Sequence, residues 1–177
     1  MKDTKLMSAV EKGDISTVKR LLEIRSLNVD HQSEKVHGAT ALMLAASKGQ
    51  KTIVKLLIEK GATVNIQNMR GHTALILAAV NGHENVAKGL IAQGADVNIQ
   101  DMEGATALIF AADNGHDTIV EDLSLMGADH NMKSRGGHTA STVAAEKGHW
   151  NIVKYLDDFR MNPIEELYKK IKREGIH

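Results

Sequence analysis

Histidine is the residue type of this sequence best suited to chemistry, because an imidazole can bind a metal ion or transfer a proton near neutral pH. The chain of 177 residues has nine histidines and no cysteine. Three of them, His83, His116 and His149, recur every 33 residues, each directly after a glycine. Because a residue repeated at one register position serves the same purpose in every copy, we predict that these three support the scaffold.

A catalytic or metal site finds little support elsewhere in the chain. His37 and His72 fall at similar points of neighbouring units and could approach each other, but a structural zinc site usually has four ligands. The sequence has no cysteine nucleophile, no glycine-rich phosphate loop and no His-Glu-x-x-His motif. We therefore expect no catalytic residue, no metal site and no cofactor, and we predict that the chain is not an enzyme.

A fixed period of 33 residues determines which elements position the side chains. Gly38, Gly71, Gly104 and Gly137 open four similar units, and residues 4–37 form a more divergent one. In each unit a threonine N-cap begins a short helix with an Ala-Ala pair, a glycine turn follows, and a second helix carries an apolar stripe. An extended finger then leads to the next unit. One unit cannot bury its apolar face alone, so the pattern predicts a stacked array.

These shared positions resemble the ankyrin repeat family over about residues 4–160. The matching residues are the Thr-Ala-Leu openings at Thr40, Thr73 and Thr106 and the Ala-Ala pairs at 45–46, 78–79, 111–112 and 144–145. They also include the Gly-His pairs at 82–83, 115–116 and 148–149, and the Gly-Ala-x-x-Asn segments that end at Asn65, Asn98 and Asn131. The resemblance implies an all-α solenoid of about five helix-turn-helix repeats with extended finger loops. The expected repeats are 4–37, 38–70, 71–103, 104–136 and 137–160, within a single domain of residues 1–177.

Two departures from the repeat pattern concern the second helices. Gly89 and Asp122 stand where repeat 2 has Leu56. Because neither side chain supplies the apolar packing of a leucine, we predict that the second helices of repeats 3 and 4 are the softest. Slow hydrogen exchange in those two helices, equal to that of the second helix of repeat 2, would contradict this prediction.

The C-terminal segment has the signals of a further helix over about residues 163–174. Asn162 suits the N-cap, Pro163 the first helical position and Gly175 the stop. An apolar stripe on this helix consists of Ile164, Leu167, Tyr168 and Ile171. We interpret the segment as a capping helix that covers the apolar face of the last repeat. The alternative is a helix that docks on a partner or on a membrane surface.

The resemblance also implies where a partner binds, namely the concave surface formed by the finger tips and the first-helix ends. Positions that vary between repeats are free to serve a partner, whereas constant positions serve the scaffold. The candidate partner-binding residues are Val36, His37, Lys48, Met69, Arg70, His72, Val80, Asn81, Met102, Glu103, Asp113, Asn114, Arg135, His138, Glu146 and Lys147.

Three of these candidates form an apolar column. Val36, Met69 and Met102 occupy one finger-tip position in successive repeats, which stack roughly 10 Å apart, and Val80 extends the stripe. Methionine is overused at adaptable binding surfaces, which favours a stripe that contacts a partner. The alternative is that each side chain lies flat on its neighbour as local packing.

Charge outlines the same surface. Arg70 and Lys48 are expected beside the apolar stripe, and residues 104–136 carry five acidic residues against Lys133 and Arg135. One interpretation is an ordinary hydrated face. The other is a partner whose apolar anchor is flanked by basic groups that meet repeat 4.

The composition of the whole chain narrows the class of function. Its 22 Lys and Arg residues balance 22 Asp and Glu residues, which argues against a nucleic-acid binder. The start of the chain is too polar for a secretory signal, and no stretch approaches the roughly 18 apolar residues that span a bilayer. We expect a monomer in the cytoplasm without a nucleic-acid or membrane partner, and a nuclear or secreted-effector location stays open.

The function implied by the resemblance is a protein–protein interaction module, which acts as a scaffold, an adaptor or an inhibitor of a partner protein. One alternative is a bacterial or parasite effector that engages a host protein, because Lys outnumbers Arg by 16 to 6, as in AT-rich genomes. Another alternative is a self-associating structural module that uses the C-terminal helix.

Overall fold

The computed structural model describes the backbone of residues 2–174 and the side chains of that range except residues 2–4, 165, 166, 168, 172 and 174. Its elements are eleven α-helices and a short 3-10 turn at Glu34–Val36. The helices are α1 (Lys2–Glu11), α2 (Ile15–Leu22), α3 (Ala41–Ser47), α4 (Lys51–Glu59), α5 (Ala74–Val80), α6 (Glu84–Ala92), α7 (Ala107–Asp113), α8 (Asp117–Leu125), α9 (Ala140–Lys147), α10 (Trp150–Met161) and α11 (Pro163–Glu174). Helices α1 to α10 form five successive pairs, which confirms the predicted all-α solenoid.

The ten paired helices lie in two rows. The first helices α1, α3, α5, α7 and α9 contact one another in order, and so do the second helices α2, α4, α6, α8 and α10. Alanines such as Ala45 and Ala78 are completely buried in the first-helix row, where their small size lets the helices approach closely. Leucines such as Leu57 and Leu90 are completely buried in the second-helix row. One apolar core therefore runs along the stack from Leu6 to Leu156.

The ends of the first helices follow the local sequence. The hydroxyls of Thr40, Thr73, Thr106 and Thr139 each accept a hydrogen bond from the backbone N–H three residues later, at 3.2–3.3 Å. This geometry confirms the predicted N-caps. After helix α3 the chain turns at Gly49, whose φ of 67° lies in the left-handed region that glycine enters without strain.

The repeated histidines support the scaffold, as predicted, and the structure shows that they do so by joining neighbouring repeats. Each ring nitrogen Nε2 lies at hydrogen-bond distance from a carbonyl oxygen of the preceding first helix: 2.9 Å for His83–Ser47, 3.3 Å for His116–Val80 and 3.2 Å for His149–Asp113. Each ring also covers the turn glycine of the preceding repeat, so that a Cβ on Gly49 would lie 2.7 Å from His83 Nδ1. The Gly-His pairs are thus a structural device that links one repeat to the next.

A glutamine ladder performs the same task along the fingers. The side-chain amides of Gln32, Gln67 and Gln100 each donate to one carbonyl of their own finger and to one carbonyl of the next finger. For Gln67 the acceptors are Gly71 O at 2.7 Å and Gln100 O at 3.0 Å. The ladder fixes the spacing of the fingers, because one amide bridges two backbones.

Asparagines at the start of the fingers form a third link. Asn65 Oδ1 accepts from the backbone N–H of Asp96 at 2.9 Å, and its Nδ2 donates to Gly94 O at 3.1 Å. Asn98 makes the same two bonds one repeat later, with residues 129 and 127. Each junction between the central repeats is therefore held by a histidine, a glutamine and an asparagine.

Two titratable groups near the ends of the stack have shifted pKa values. Asp14 is the N-cap of α2, and hydrogen bonds to its carboxylate lower its pKa to about 2. The largest contribution comes from the side chain of Thr17, followed by the backbone N–H of Thr17 and the side chain of Ser16. Near the other end, burial lowers the pKa of His130, whose ring packs 5.1 Å from that of Phe159. Neither group belongs to the candidate surface.

Helix α11 is present at the predicted position and contacts α10, the second helix of the last repeat, as expected of a capping helix. Its apolar stripe is only partly covered, because Ile164 is 79% exposed, whereas Leu167 and Ile171 are 46% and 39% exposed. The helix lies beside α10 and is held by ion pairs from Lys170 to Asp122 and from Arg173 to Glu121. Acidic groups on α8 therefore determine which face of α11 meets the stack, while Tyr168 and Gly175 lie outside the described side chains and backbone.

Asp122 has a different environment from the one that its sequence position predicts. Its side chain is buried, with Lys88 Nζ at 3.6 Å and Lys170 as a second cationic partner. Lys170 follows Asp122 by 48 residues, so this contact joins the end of the chain to repeat 4. The greater softness of helices α6 and α8 stays a prediction for hydrogen exchange.

Candidate binding surface

The finger tips form one row held by backbone hydrogen bonds. The N–H of Met69 donates to His37 O at 2.9 Å, and that of Met102 donates to Arg70 O at 3.0 Å. The N–H of Arg135 donates to the carbonyl oxygen of residue 103 at 2.7 Å, which extends the row to the fourth finger. Equivalent tip residues of successive fingers are therefore neighbours, and the exposed side chains of Glu103 and Arg135 belong to the same row.

The apolar tip residues expose much of their surface. Val36 is 38% exposed, Met69 57% and Met102 58%. Met69 also packs on the preceding finger, because a Cβ on Gly38 would lie 3.2 Å from Met69 Cγ. Local packing therefore covers less than half of the surface of Met69 and leaves the rest accessible.

A shallow pocket of about 180 Å³ lies between the first and second fingers and the first-helix row. Val36, His37, Arg70 and His72, all candidates from the sequence, line it. Its floor includes Leu44 and Leu77, which the sequence interpretation did not include. We call the tip row and this pocket together the finger surface.

Leu44 and Leu77 belong to a column that continues at Phe110. These side chains are half-buried, because one side packs on the core and the other faces the fingers. The 33-residue spacing of the column was visible in the sequence, but an apolar residue inside a helix indicates the core unless its exposure is known. Leu44, Leu77 and Phe110 are therefore further members of the candidate surface.

His72 is held in place by its neighbours. Its Nε2 lies 3.3 Å from Asp101 Oδ2, and its ring meets that of Phe110 edge to face at 5.8 Å between centroids. Asp101 is itself fixed, since its Oδ1 accepts from the backbone N–H groups of Glu103 and Ala105. His138, two fingers further towards the C-terminus, pairs instead with Glu146 at 3.3 Å, and both residues are exposed.

The candidate residues at the first-helix ends are joined across repeats. Lys48 Nζ lies 2.9 Å from a carboxylate oxygen of Glu11, and Lys147 Nζ lies 3.8 Å from one of Asp113. The side-chain amides of Asn81 and Asn114 donate back to carbonyls of their own helices, at 2.8 and 2.9 Å. These polar groups form an edge of defined geometry beside the half-buried Val80.

The acidic residues of repeat 4 do not form one acidic patch. Glu121 and Asp122 lie on α8 in the second-helix row and pair with cations of α6 and α11. Asp113 lies at the first-helix end and pairs with Lys147. Because three of the five acids are paired within the chain, the charge of repeat 4 offers less attraction to a basic partner than the sequence count indicates.

His37 has a strained backbone at the edge of the finger surface. Among the described residues it is the one non-glycine residue with a positive φ, at 55°. Replacing His37 by glycine is expected to stabilise the fold by about 1 kcal/mol, because glycine adopts this conformation without the steric penalty of a Cβ. Urea unfolding measures the difference.

Arg70 provides the matched control, since it occupies the equivalent tip position one finger later without a positive φ. Arg70→Gly is expected to give no gain in the free energy of unfolding. If His37→Gly instead lowers the free energy of unfolding as much as Arg70→Gly does, His37 is not strained.

The described part of the chain contains no cluster of side chains that could hold a metal ion. His37 and His72 line the same pocket, but no group of three His, Cys, Asp or Glu side chains comes together there or elsewhere among the described residues. Within the same residues, no helix is long and apolar enough to cross a membrane. What the finger surface offers is apolar contact area bordered by polar groups.

The comparison with protein families agrees with the repeat geometry. A family model described as ankyrin repeats (3 copies) matches residues 6–101 and 64–134. No curated protein matches the chain. Ankyrin repeats are generally protein–protein interaction modules, and proteins built from them are typically not enzymes. With matches over most of its length and a repeat geometry to go with them, the chain belongs to the ankyrin repeat family.

Proposed function

We propose that this chain binds one partner protein through the finger surface of repeats 2–4 and acts as a scaffold, an adaptor or an inhibitor. The observation that carries the proposal is the row of exposed apolar tips, Val36, Met69 and Met102, above a pocket that contains His37 and His72. None of the three tip side chains is needed in the core of the stack. The proposal also includes a monomeric single domain, residues 1–177, located in the cytoplasm.

The chemistry of the finger surface suits a protein partner. Methionine side chains are flexible and polarizable, so they adapt to the shape of an apolar anchor. Protein interfaces place such apolar contacts at the centre and polar groups at the rim. Here Arg70 and Glu103 flank the methionines at the tips, and Lys48 and Asn81 border them at the helix ends.

The double substitution Met69→Glu with Met102→Glu tests the proposal. Burying two carboxylates against an apolar anchor is expected to weaken binding by at least about 2 kcal/mol, roughly thirtyfold in Kd. The measurement is capture of proteins from a lysate by the immobilised chain, followed by titration of the captured protein against the native and variant chains.

Met126→Glu is the matched control. Met126 is 56% exposed, like the two tip methionines, but it lies at the C-terminal end of α8 in the second-helix row. The control is expected to bind as the native chain does. Equal binding by the native chain and the double variant would exclude the finger tips as the binding site.

Self-association is a second candidate function, which the exposed face of α11 favours. Ile164, Leu167 and Ile171 lie on this face and each leaves part of its surface accessible. Exposed apolar side chains of a terminal helix can pair with a second copy of the chain. Sedimentation tests this candidate: a mass that rises with concentration supports it, and a monomer at every concentration removes it.

A further inference from the structure

The second-helix row has one gap in an otherwise filled column. Equivalent positions on α4, α6, α8 and α10 carry Leu56, Gly89, Asp122 and Tyr155. Leu56 and Tyr155 are half-buried, and Asp122 is buried with Lys88 of the preceding second helix as a partner. At Gly89 the column has no side chain, and an added Cβ would meet nothing within 4 Å.

Neither usual structural reason for a glycine applies at position 89. Gly89 lies inside α6, and it is not among the residues with a positive φ. No neighbouring backbone approaches it closely enough to exclude a side chain. Because glycine destabilises the interior of a helix relative to leucine, the gap is a feature that the fold itself does not require.

The gap opens a slot of about 260 Å³ between α4 and α6. Val54, Ile58, Val86 and Ala92 make most of its exposed surface apolar, and Asn85 and Gln93 of α6 add polar groups to the lining. From Lys51 to Glu59 the slot follows α4 for about 12 Å, at 1.5 Å per residue. A helix is about 10 Å wide and does not enter such a slot, whereas a linear hydrocarbon chain does.

The charges at the rim differ between the two ends of the slot. Lys51 lies at one end and has no acidic partner among the described residues. Lys55 pairs with Glu59 at 3.7 Å, but both side chains are more than half exposed, so this contact is weak. Glu59 lies at the far end, where it repels an anion. A ligand with one negative headgroup is therefore oriented with that group beside Lys51 and Lys55.

We infer that the slot between α4 and α6 binds a medium-chain acyl carboxylate, a linear tail with one anionic headgroup. The tail lies along Val54, Ile58 and Val86 over Gly89, and the carboxylate lies beside Lys51 and Lys55. The slot shares no residue with the finger surface, so this inference is independent of the proposed protein-binding function.

Calorimetric titration of the native chain with decanoate tests the inference, at concentrations below micelle formation. Decanoate is expected to bind with a saturable heat. Acetate, which has the headgroup without the tail, and decyltrimethylammonium, which has the tail with the opposite charge, are each expected to bind at least about tenfold more weakly. Absence of saturable decanoate binding, or equal binding of the cationic analogue, would overturn the inference.

Gly89→Leu places in the slot the side chain that repeat 2 has at this position. It is expected to abolish decanoate binding while raising the midpoint of thermal unfolding by about 2–4 °C, because leucine favours the helix. Decanoate binding equal to that of the native chain would show that the ligand does not lie over Gly89.

A charge reversal tests the headgroup separately and does not alter the core. Lys51→Glu with Lys55→Glu is expected to weaken decanoate binding about tenfold and to strengthen binding of decyltrimethylammonium. Lys154→Glu is the matched control, because Lys154 occupies on α10 the position that Lys55 occupies on α4. An equal effect of the double reversal and the control would contradict the proposed orientation.

Discussion

Replacement of Gly71 by alanine is expected to destabilise the fold by about 3 kcal/mol or more. Gly71 has a φ of 79°, where an L-residue is strained by about 1–2 kcal/mol. Its added Cβ would also lie 2.7 Å from Met102 N and 2.8 Å from Asp101 Cα, both in the backbone of the next finger. These atoms cannot move aside as a flexible side chain does, so the second and third fingers would have to separate. Urea unfolding of native and variant chains measures the loss.

Gly94→Ala is the control for the strain alone. Gly94 has a similar φ of 82°, but an added Cβ there meets nothing within 4 Å. It is expected to destabilise the fold by about 1 kcal/mol. If the two variants lose the same stability, close contact between finger backbones is not what constrains Gly71.

Asp122→Ala, which removes a buried carboxylate, is expected to lower the free energy of unfolding by about 3 kcal/mol, the second largest effect. Asp122 is buried between Lys88 and Lys170, and loss of one partner of a buried ion pair leaves the opposite charge uncompensated. Lys170 then has to turn away from the stack, which releases α11 from α8. Hydrogen exchange of residues 163–174 is expected to accelerate to the rate of an isolated peptide.

Glu121→Ala is the control, because it removes another acid of α8 and leaves the buried carboxylate of Asp122 in place. Glu121 pairs with Arg173 at 3.2 Å, and the Arg173 side chain is more than half exposed, so the pair contributes about 1 kcal/mol or less. Slow exchange of residues 163–174 in Asp122→Ala, matching the native chain, would show that the ion pair between Asp122 and Lys170 is not what holds α11.

The repeated positions explain why so much of the fold could be predicted from the sequence. Thr40 and Gly49 recur because each repeat needs the same cap and the same turn, and the periodic histidines recur because each junction needs the same bridge. One register position carries one physical requirement, so repetition itself identifies the structural role. The glutamine ladder had the same signal at Gln67 and Gln100, but an exposed polar residue in a finger gives no local sign of which carbonyls it bonds.

Contacts that occur once in the chain could not be predicted in this way. The pairing of Asp122 with Lys170 joins residues 48 positions apart, and no period relates them. The apolar stripe that contains Ile164 predicts an amphipathic helix, but the direction in which that helix faces depends on this ion pair. Phe110 was missed for a related reason, since the sequence pattern does not distinguish a buried position from one on the inner edge of the row.

The three kinds of side-chain link between repeats also connect the fold to the proposed function. Histidine, glutamine and asparagine bridges fix neighbouring repeats, and backbone bonds from Met69 and Met102 fix neighbouring tips. A surface that is already ordered loses little conformational entropy when a partner binds. The rigid tip row therefore offers flexible methionine side chains on a fixed backbone.

Methionine oxidation in the complex with the captured partner is the most direct test of binding through the finger surface. The native chain carries its own probes, since Met69 and Met102 lie in the tip row while Met126 and Met161 are exposed elsewhere. Dilute peroxide is expected to oxidise Met69 and Met102 several times more slowly in the complex than in the free chain, with Met126 and Met161 unchanged. Oxidation of Met69 and Met102 at the free-chain rate while the partner is bound would contradict binding at the finger tips.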